Sequence, residues 1–386
     1  MEHDRPFDIT ILGATGWTAT ICAEHIARTQ PTTLRWCIAG RSPSKLEALA
    51  AALQHTNPSR NAPRIFTLAD LSPSALAPLI RQTKVLINGV GPYHLHSSPV
   101  VAACAAAGTH YLDFATETPW VRSMIAAHSA PARASGALLI PCTSLSSAPS
   151  DLLAWLLVAE AGPRIEVAAA ARLNMQGMQG GSAETLLCLA ERYGTSCFRA
   201  RSERCRCEPA LGGALVPAPF TGAANEAVVA RSAARSPEVY GPDFVYREYA
   251  PVGGRISAMA FRVCVALGIW LLAWPWFRAL VRARIAFAPG TGPDREESRR
   301  AESAEFRAVA FARGERRPLA RSEFRYKGAL TDVSAILAVE AAAVLLEAPG
   351  ESGPGKGGFR TPSTLGMPFV ERLRKAGVQI NVEKLA

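Results

Sequence analysis

The sequence predicts a two-domain α/β chain whose N-terminal domain is a doubly wound parallel sheet, covered by helices on both faces. Three observations carry this. Strand-length and helix-length runs alternate from residue 7 to residue 142, the strand runs are apolar throughout, and a glycine turn, "GATG" at 13 to 16, joins the first strand to the first helix. Strands buried on both faces lack the every-other-residue pattern of half-exposed ones, and their alternation with helices gives a parallel sheet. The 386 residues, 49% of them hydrophobic, supply material for two cores.

Taken in order, Phe7 to Gly13 reads as a buried strand and Thr15 to Arg28 as the helix behind it. "LRWCIAG" (34 to 40) is a second strand and "PSKLEALAAAL" (43 to 53) a second helix, followed by strands at "RIFTLAD" (64 to 70) and "VLINGV" (85 to 90). A helix from Ser97 to Ala107, a strand at "HYLDFA" (110 to 115), a helix from Trp120 to Ala134 and a strand at "ALLIPC" (137 to 142) complete a domain set at residues 1–150.

The glycines have a reason in that setting. A turn between first strand and first helix must let the backbone approach a pyrophosphate, whose charge meets the free N–H groups and positive dipole end of the helix. Gly13 supplies the turn, Gly16 the close approach, and Ala19 stands at the third fingerprint position, where only tight helix–strand packing is needed. Thr15 and Trp17 belong to the same cofactor turn. Sites that select NAD end the second strand with a carboxylate, whereas this strand ends "AGRS", with Arg41 and Ser42 where the acid would be. A guanidinium beside a 2′-phosphate makes a charge-assisted pair, so the expected cofactor is NADPH. Lys45, one turn on, is either a further contact or part of a solvated face.

Lys and Arg number 42 against 32 acids, a formal charge of +10 that suits nucleotide phosphates, phospholipid surfaces or acidic carrier proteins. The arginines are scattered rather than gathered with aromatics, which makes nucleic acid the weakest reading. Five of the nine cysteines (Cys22, Cys37, Cys104, Cys142, Cys264) sit in apolar runs and fit a reducing compartment. Cys205 and Cys207 lack a second pair at zinc spacing, and no metal is expected. The charged start "MEHDRPFD" has no signal-peptide character and predicts a cytoplasmic protein. One stretch complicates that: "VCVALGIWLLAWPWF" (263 to 277) holds three Trp and no charge between Arg262 and Arg278, with Arg282 and Arg284 just beyond. It is short of the roughly 20 residues that span a bilayer. It reads as a buried helix or lid of the second domain, or as a peripheral segment on a membrane such as the ER or a lipid droplet.

"GATGWT", "AGRSPSKLEAL", "NGVGPY", "VVAACAAAGTHYLDFATE", "GALLIP" and "APSDL", in this order, resemble the saccharopine dehydrogenase-like oxidoreductases, and more narrowly their trans-acting enoyl reductase branch. "GGSAETLL" (180 to 187) and "GGFRTPSTLGMPFVERLRKAG" (357 to 377) extend the resemblance. It implies an N-terminal Rossmann domain, a second α/β domain carrying the substrate at 151–330, and a C-terminal segment, 331–386, returning to the first domain. It also implies nicotinamide near the "GPY" loop, making Gly91 and Pro92 cofactor residues and Tyr93 a pocket residue.

The residues after the fourth strand, Asn88 to Tyr93, draw attention on their own, since ligands of such sheets lie beyond the carboxyl ends of the strands. A reductase of conjugated carbonyls needs a donor near the oxygen and a proton source, and the strand ends offer Tyr93, Tyr111, Asp113, Glu117 and Asp151. His94 and His96 read as loop-surface histidines, and Gly180, Gly181 and Ser182 as a helix start able to meet an anionic group. The family resembled carries Gly and Asp after the sixth strand where this chain has Ser144 and Ser146. That makes Ser146 a candidate site residue beside Tyr93 and Tyr111. The expected function is NADPH-dependent, enoyl-reductase-like reduction of an apolar polyketide, lipid or other secondary-metabolite intermediate, free or carrier-bound. An imine or ketone reductase and a non-redox isomerase, cyclase or binding protein are the alternatives. A membrane surface and a second copy in a homodimer are the expected further partners.

Overall fold

A computed structural model of the chain describes residues 5–198, 205–284, 287–288, 290–315, 317–347 and 355–385. The first domain runs β1 (Phe7–Leu12), α1 (Trp17–Thr29), β2 (Trp36–Gly40), α2 (Pro43–Thr56), β3 (Arg64–Thr67), α3 (Pro73–Arg81), β4 (Thr83–Asn88), α4 (Tyr93–His96), α5 (Ser98–Ala107), β5 (His110–Asp113), α6 (Thr118–Ser135) and β6 (Leu138–Ile140). The second comprises α7 (Ala148–Ala161), β7 (Ile165–Asn174), α8 (Gly180–Tyr193), β8 (Arg206–Glu208), β9 (Gly213–Pro217), α9 (Gly222–Arg235), α10 (Pro237–Tyr240), β10 (Val245–Val252), α11 (Arg255–Leu271), α12 (Pro275–Arg284), α13 (Arg295–Ala301), β11 (Ser303–Ala312) and β12 (Pro318–Lys327). The chain closes with α14 (Leu330–Glu347), β13 (Gly358–Phe359), α15 (Gly366–Lys375) and β14 (Gln379–Lys384).

The first sheet is parallel, in the order β13-β6-β5-β4-β1-β2-β3. Ile11 of β1 lies in register with Ile38 of β2 on one side and Ile87 of β4 on the other. The strand order therefore reverses at β1, and a crevice opens above the carboxyl ends of β1 and β4. Each face of the sheet has its own apolar core: α1 and α14 cover one, α3, α5 and α6 the other. Helix α3 is absent from the sequence reading, because Pro73 and Pro78 mask its pattern. Pro73 stands at the start, where its missing N–H costs nothing, Ser72 caps the helix by accepting from Ala75 N at 3.4 Å, and Leu76, Leu79 and Ile80 are buried.

The second sheet is mixed, in the order β14-β12-β11-β7-β10-β9-β8. Its central strand is β7, and beside it lies the hairpin β11–β12, in which Phe306 faces Phe324 with ring centroids 5.9 Å apart. Helix α7 follows β6 and buries Leu152, Leu153, Leu156 and Leu157 in the core shared with that hairpin. The closing segment is divided. Helix α14 packs along α1, β13 joins β6 in the first sheet, and β14 joins β12 in the second, Ile380 opposite Phe324. The α1–α14 contact contains a buried polar knot: Glu340 accepts from Gln30 Nε2 at 2.8 Å and Arg372 Nε at 2.8 Å, with His25 Nε2 3.0 Å away.

The apolar stretch read at 263–277 is not wholly buried. Helices α11 and α12 meet at 103° across residues 272–274. Their inner faces, Leu272 with Ile269, Phe277 and Val281, pack on Leu187, Leu189 and Phe198. Among the described residues no element covers the outer face, and Cys264, read with the core thiols, is exposed there. The buried Arg278 guanidinium donates Nη1 to the carbonyls of Leu272 (2.8 Å) and Ala273 (2.9 Å), capping the end of α11 and fixing the bend. Arg282 pairs with Glu184 and Glu191 of α8. Among the described residues no single helix is long and apolar enough to cross a membrane.

Candidate active site

The turn after β1 is built for close approach. Gly13 has φ 72°, in the left-handed region, and a Cβ there would lie 2.8 Å from Val90 Cγ2. Gly16 precedes α1 with no side chain over the helix end, and a Cβ on it would come to 3.1 Å from Gly13 O. Gly89, after β4, faces Ala19 so closely that a Cβ would sit 2.7 Å from the alanine Cβ. Ala19 thus does at the third fingerprint position what the sequence required. The amides of Gly13 and Ala14 bond Ala39 O and that of Gly16 bonds Gly13 O, while the first intrahelical bond is Thr20 N to Gly16 O. The N–H groups of residues 17–19 are left facing outward for an anion. Trp17 is half-buried, with Gly292 against its indole, and Thr15 is exposed. Arg41, at the end of β2, is exposed, as is Lys45, and Ser42 lies between Arg41 and the start of α2. A dinucleotide phosphate cradle with cations at its ribose end fits this geometry.

The ends of β4, β5 and β6 converge on a buried polar cluster. Asn88, fully buried, donates to Ser97 Oγ (2.8 Å) and Tyr111 Oη (3.1 Å) and accepts from Val90 N (3.1 Å), which shapes the loop leading to Gly91 and Pro92. Tyr111 is also fully buried, and its hydroxyl donates to Asp113 Oδ2 at 2.8 Å. Asp113 Oδ1 accepts from Ala115 N (2.9 Å) and Cys142 N (2.8 Å), holding Cys142 at φ 68°. Burial pushes the Asp113 carboxyl up to about 6 against the pull of those donors. Tyr93 lies above, its hydroxyl 3.3 Å from Asn88 O and 3.4 Å from Phe114 N. Burial, aided by Asp113 and Glu117, holds its phenol well above the ordinary range and so protonated. Glu117 accepts from Tyr93 N (2.9 Å) and Thr116 N (2.8 Å).

The loop after β6 places Ser144 Oγ and Ser146 Oγ 2.7 Å apart, while Ser147 donates to Asn225. Asp151, by contrast, is engaged away from the crevice: it accepts from Ser232 Oγ (2.5 Å) and Ser363 N (2.8 Å), tying α7 to α9 and the closing segment. His94 is not a loop-surface residue. Its ring is buried, 3.5 Å from Glu117 Oε1 and edge-on to Tyr193, because α8 closes over the loop, whereas His96 is exposed. The helix start at Gly180 is also covered: its amide bonds Thr291 O, and those of Ser182 and Ala183 bond Gln179 O. The glycine is needed there for the approach of the Phe287 and Ala288 carbonyls.

One residue escaped the sequence reading. Arg231 of α9 reaches Cys142 with Nη2 3.7 Å from its sulfur, and its buried Nη1 has no partner among the described residues. It lines a cleft of about 190 Å³ with Val121, Cys142, Ala227 and Val228, and Arg122 stands exposed on its wall. The only local signal was a lone arginine inside an alanine-rich helix, "AVVARSAAR".

Residues 9–140 match the sequence model of the saccharopine dehydrogenase NADP binding domain. A trans-acting enoyl reductase of Mycobacterium bovis is 30% identical over 341 residues, 77% of this chain and 79% of that one. A Mycobacterium tuberculosis relative carried under the enoyl reductase name aligns over 426 residues at 27% identity, 99% of each chain. Among solved structures, the apo saccharopine dehydrogenase (L-Glu forming) of Saccharomyces cerevisiae superposes with a TM-score of 0.58 at 12% identity, covering 98% of this chain and 99% of that one, a likeness of fold.

Proposed function

The chain belongs to the saccharopine dehydrogenase-like family of trans-acting enoyl reductases, and from that premise we propose that it reduces a double bond conjugated to a carbonyl in an apolar acyl substrate, free or carrier-bound. It is an NADP-dependent oxidoreductase. The observation that carries the finer reading is the engagement of the carboxylates at the strand ends. Asp113 and Glu117 are both fully buried beyond the strand ends, and both are spent on protein N–H donors. Neither is left to hold a substrate ammonium group. What remains is neutral or cationic: the phenol of Tyr93, the hydroxyls of Ser144 and Ser146, and the guanidinium of Arg231. Such a set suits a neutral carbonyl oxygen better than an amino acid.

The placements support a role for each residue. Gly13 and Gly16 admit the pyrophosphate, the amides at the start of α1 meet its charge, and Arg41 answers the 2′-phosphate with Ser42 and Lys45 beside it. Gly91 and Pro92 border the nicotinamide end. When bound, the reduced cofactor supplies a hydride. Tyr93 keeps a proton at Oη for the charge that hydride addition leaves on the substrate. Arg231 Nη1 offers a preorganised N–H to the oxygen where negative charge develops. Tyr111 positions Asp113, which in turn fixes Cys142 in front of Arg231. Ser146, 2.7 Å from Ser144 Oγ, is the hydroxyl this reading sets beside the reacting atoms.

The test is turnover. The purified chain is given NADPH and a medium-chain trans-2-enoyl thioester, on coenzyme A or on a carrier protein, and the product is weighed by mass spectrometry. One NADPH oxidised per saturated thioester is expected. Oxidation of saccharopine or another amino acid with no enoyl reduction would overturn the reading, and so would a product of unchanged redox state.

A further inference from the structure

The outer face of the α11–α12 pair is apolar and cationic, and none of the described residues covers it. Along α11, Ile256, Met259, Val263, Leu267 and Trp270 follow a spacing of three and four residues, which places them on one side of a helix. They are 88, 72, 61, 52 and 55% exposed, so this side faces solvent while the opposite side is packed on the domain. Trp274, Trp276 and Leu280 continue the surface around the bend. Single exposed apolar residues are ordinary; eight large ones on two joined helices form a patch that marks a contact.

Charge decides what covers it. From Ile256 to Arg284 there are four arginines and no acid. Arg278 and Arg282 are used inside the protein, the first capping α11 and the second paired with Glu184 and Glu191. Arg262, whose Nη1 also donates to Cys205 Sγ at 3.5 Å, and Arg284 are exposed near the two ends of the surface. A second copy docking by two-fold symmetry would set these guanidiniums against a patch with no carboxylate to answer them. An anionic bilayer supplies what is missing, acyl chains for the apolar side chains and headgroup phosphates for the arginines, with tryptophan at the boundary where its amphipathic ring is most stable.

We infer that the α11–α12 pair is a monotopic docking element for anionic phospholipid surfaces. The 103° bend bears on this directly. It prevents the pair from crossing the bilayer as one rod and lets both helices offer side chains to one interface. Arg278 sets the bend and is no lipid ligand. The inference is independent of the reaction.

The experiment is sedimentation of the full chain with phosphatidylcholine vesicles, with and without phosphatidylglycerol, together with tryptophan emission. Binding to the anionic vesicles, a blue-shifted emission and weakening at high salt are expected. R262Q and R284Q should each reduce partition by about fivefold at low salt, and W270A with W276A by about tenfold or more. Thermal melting should show all of these variants folded, since each changed side chain is exposed. Protein left in the supernatant with every vesicle would overturn the proposal. So would light scattering that shows a dimer which the tryptophan variants convert to monomer while vesicles leave it unaffected, because the patch would then belong to a second copy.

Discussion

Arg41 stands at the end of β2 with its side chain in solvent, so it can be removed without disturbing the core. Arg41→Ala should weaken NADPH by roughly 10- to 150-fold, the equivalent of a charged hydrogen bond of about 1.5–3 kcal/mol, and leave NADH little changed. Titration of both nucleotides checks it, and an equal loss for the two would remove the assignment. Tyr93→Phe deletes a hydroxyl held only by contacts of 3.3 and 3.4 Å, so the fold should persist while kcat falls by about 10² or more with KM nearly constant. Asp113 gives a pH signature. Its carboxyl titrates at about 6 in the folded chain against an ordinary 3.8, so the folded state binds the extra proton. Its contribution is complete below about pH 4 and declines as pH rises through 6, by roughly 3 kcal/mol in all. Denaturant titrations of Asp113→Asn should lack that decline, and identical pH slopes in both proteins would show that another group is responsible. The backbone of Gly13 and the packing of Ala19 were legible in the sequence because their reasons lie in the turn and strand that hold them. Arg231 and the burial of His94 were not, because distant segments create those environments, Cys142 lying 89 residues from Arg231 and Tyr193 of α8 packing on His94.

At the scale of elements, the junction of β1, β4 and α1 carries the tightest constraint. Gly89→Ala would place a methyl group where the gap to Ala19 Cβ is 2.7 Å, forcing α1 off the sheet. A loss of about 1–3 kcal/mol and a lower melting temperature are expected, with weaker NADPH binding because the start of α1 moves with the helix. Unchanged melting would mean the helix shifts freely. The strands of the first domain were readable because each is a continuous apolar run between turn residues. Helix α3 was hidden by two prolines that it tolerates, and the second sheet by its sequence. Of its strands, β8 has only three residues, and β12 spaces Arg321 and Arg325 four residues apart, as a surface helix also could. The α11–α12 pair was visible as an apolar stretch, but its bend depends on Arg278 folding back on Leu272, which no local pattern announces.

For the whole molecule, β14 is the outermost strand of the second sheet and shields the ten-residue β12. Deleting residues 379–386 would bare that edge, and the truncated chain should associate through it. Light scattering at rising concentration checks this, and a truncated chain that stays monomeric and melts normally would show the edge to be harmless. The route of the last segment has a wider consequence. Residues 330–385 send a helix to one face of the first sheet, a strand to its margin and a strand to the second sheet. The molecule is laced shut by its own end, and neither sheet can be cut out as a self-sufficient module. Two polypeptides ending and starting near residue 329 should each be insoluble alone and, when produced together, should recombine into a cofactor-binding particle, a natural split-protein reporter whose two halves meet only by completing both sheets at once.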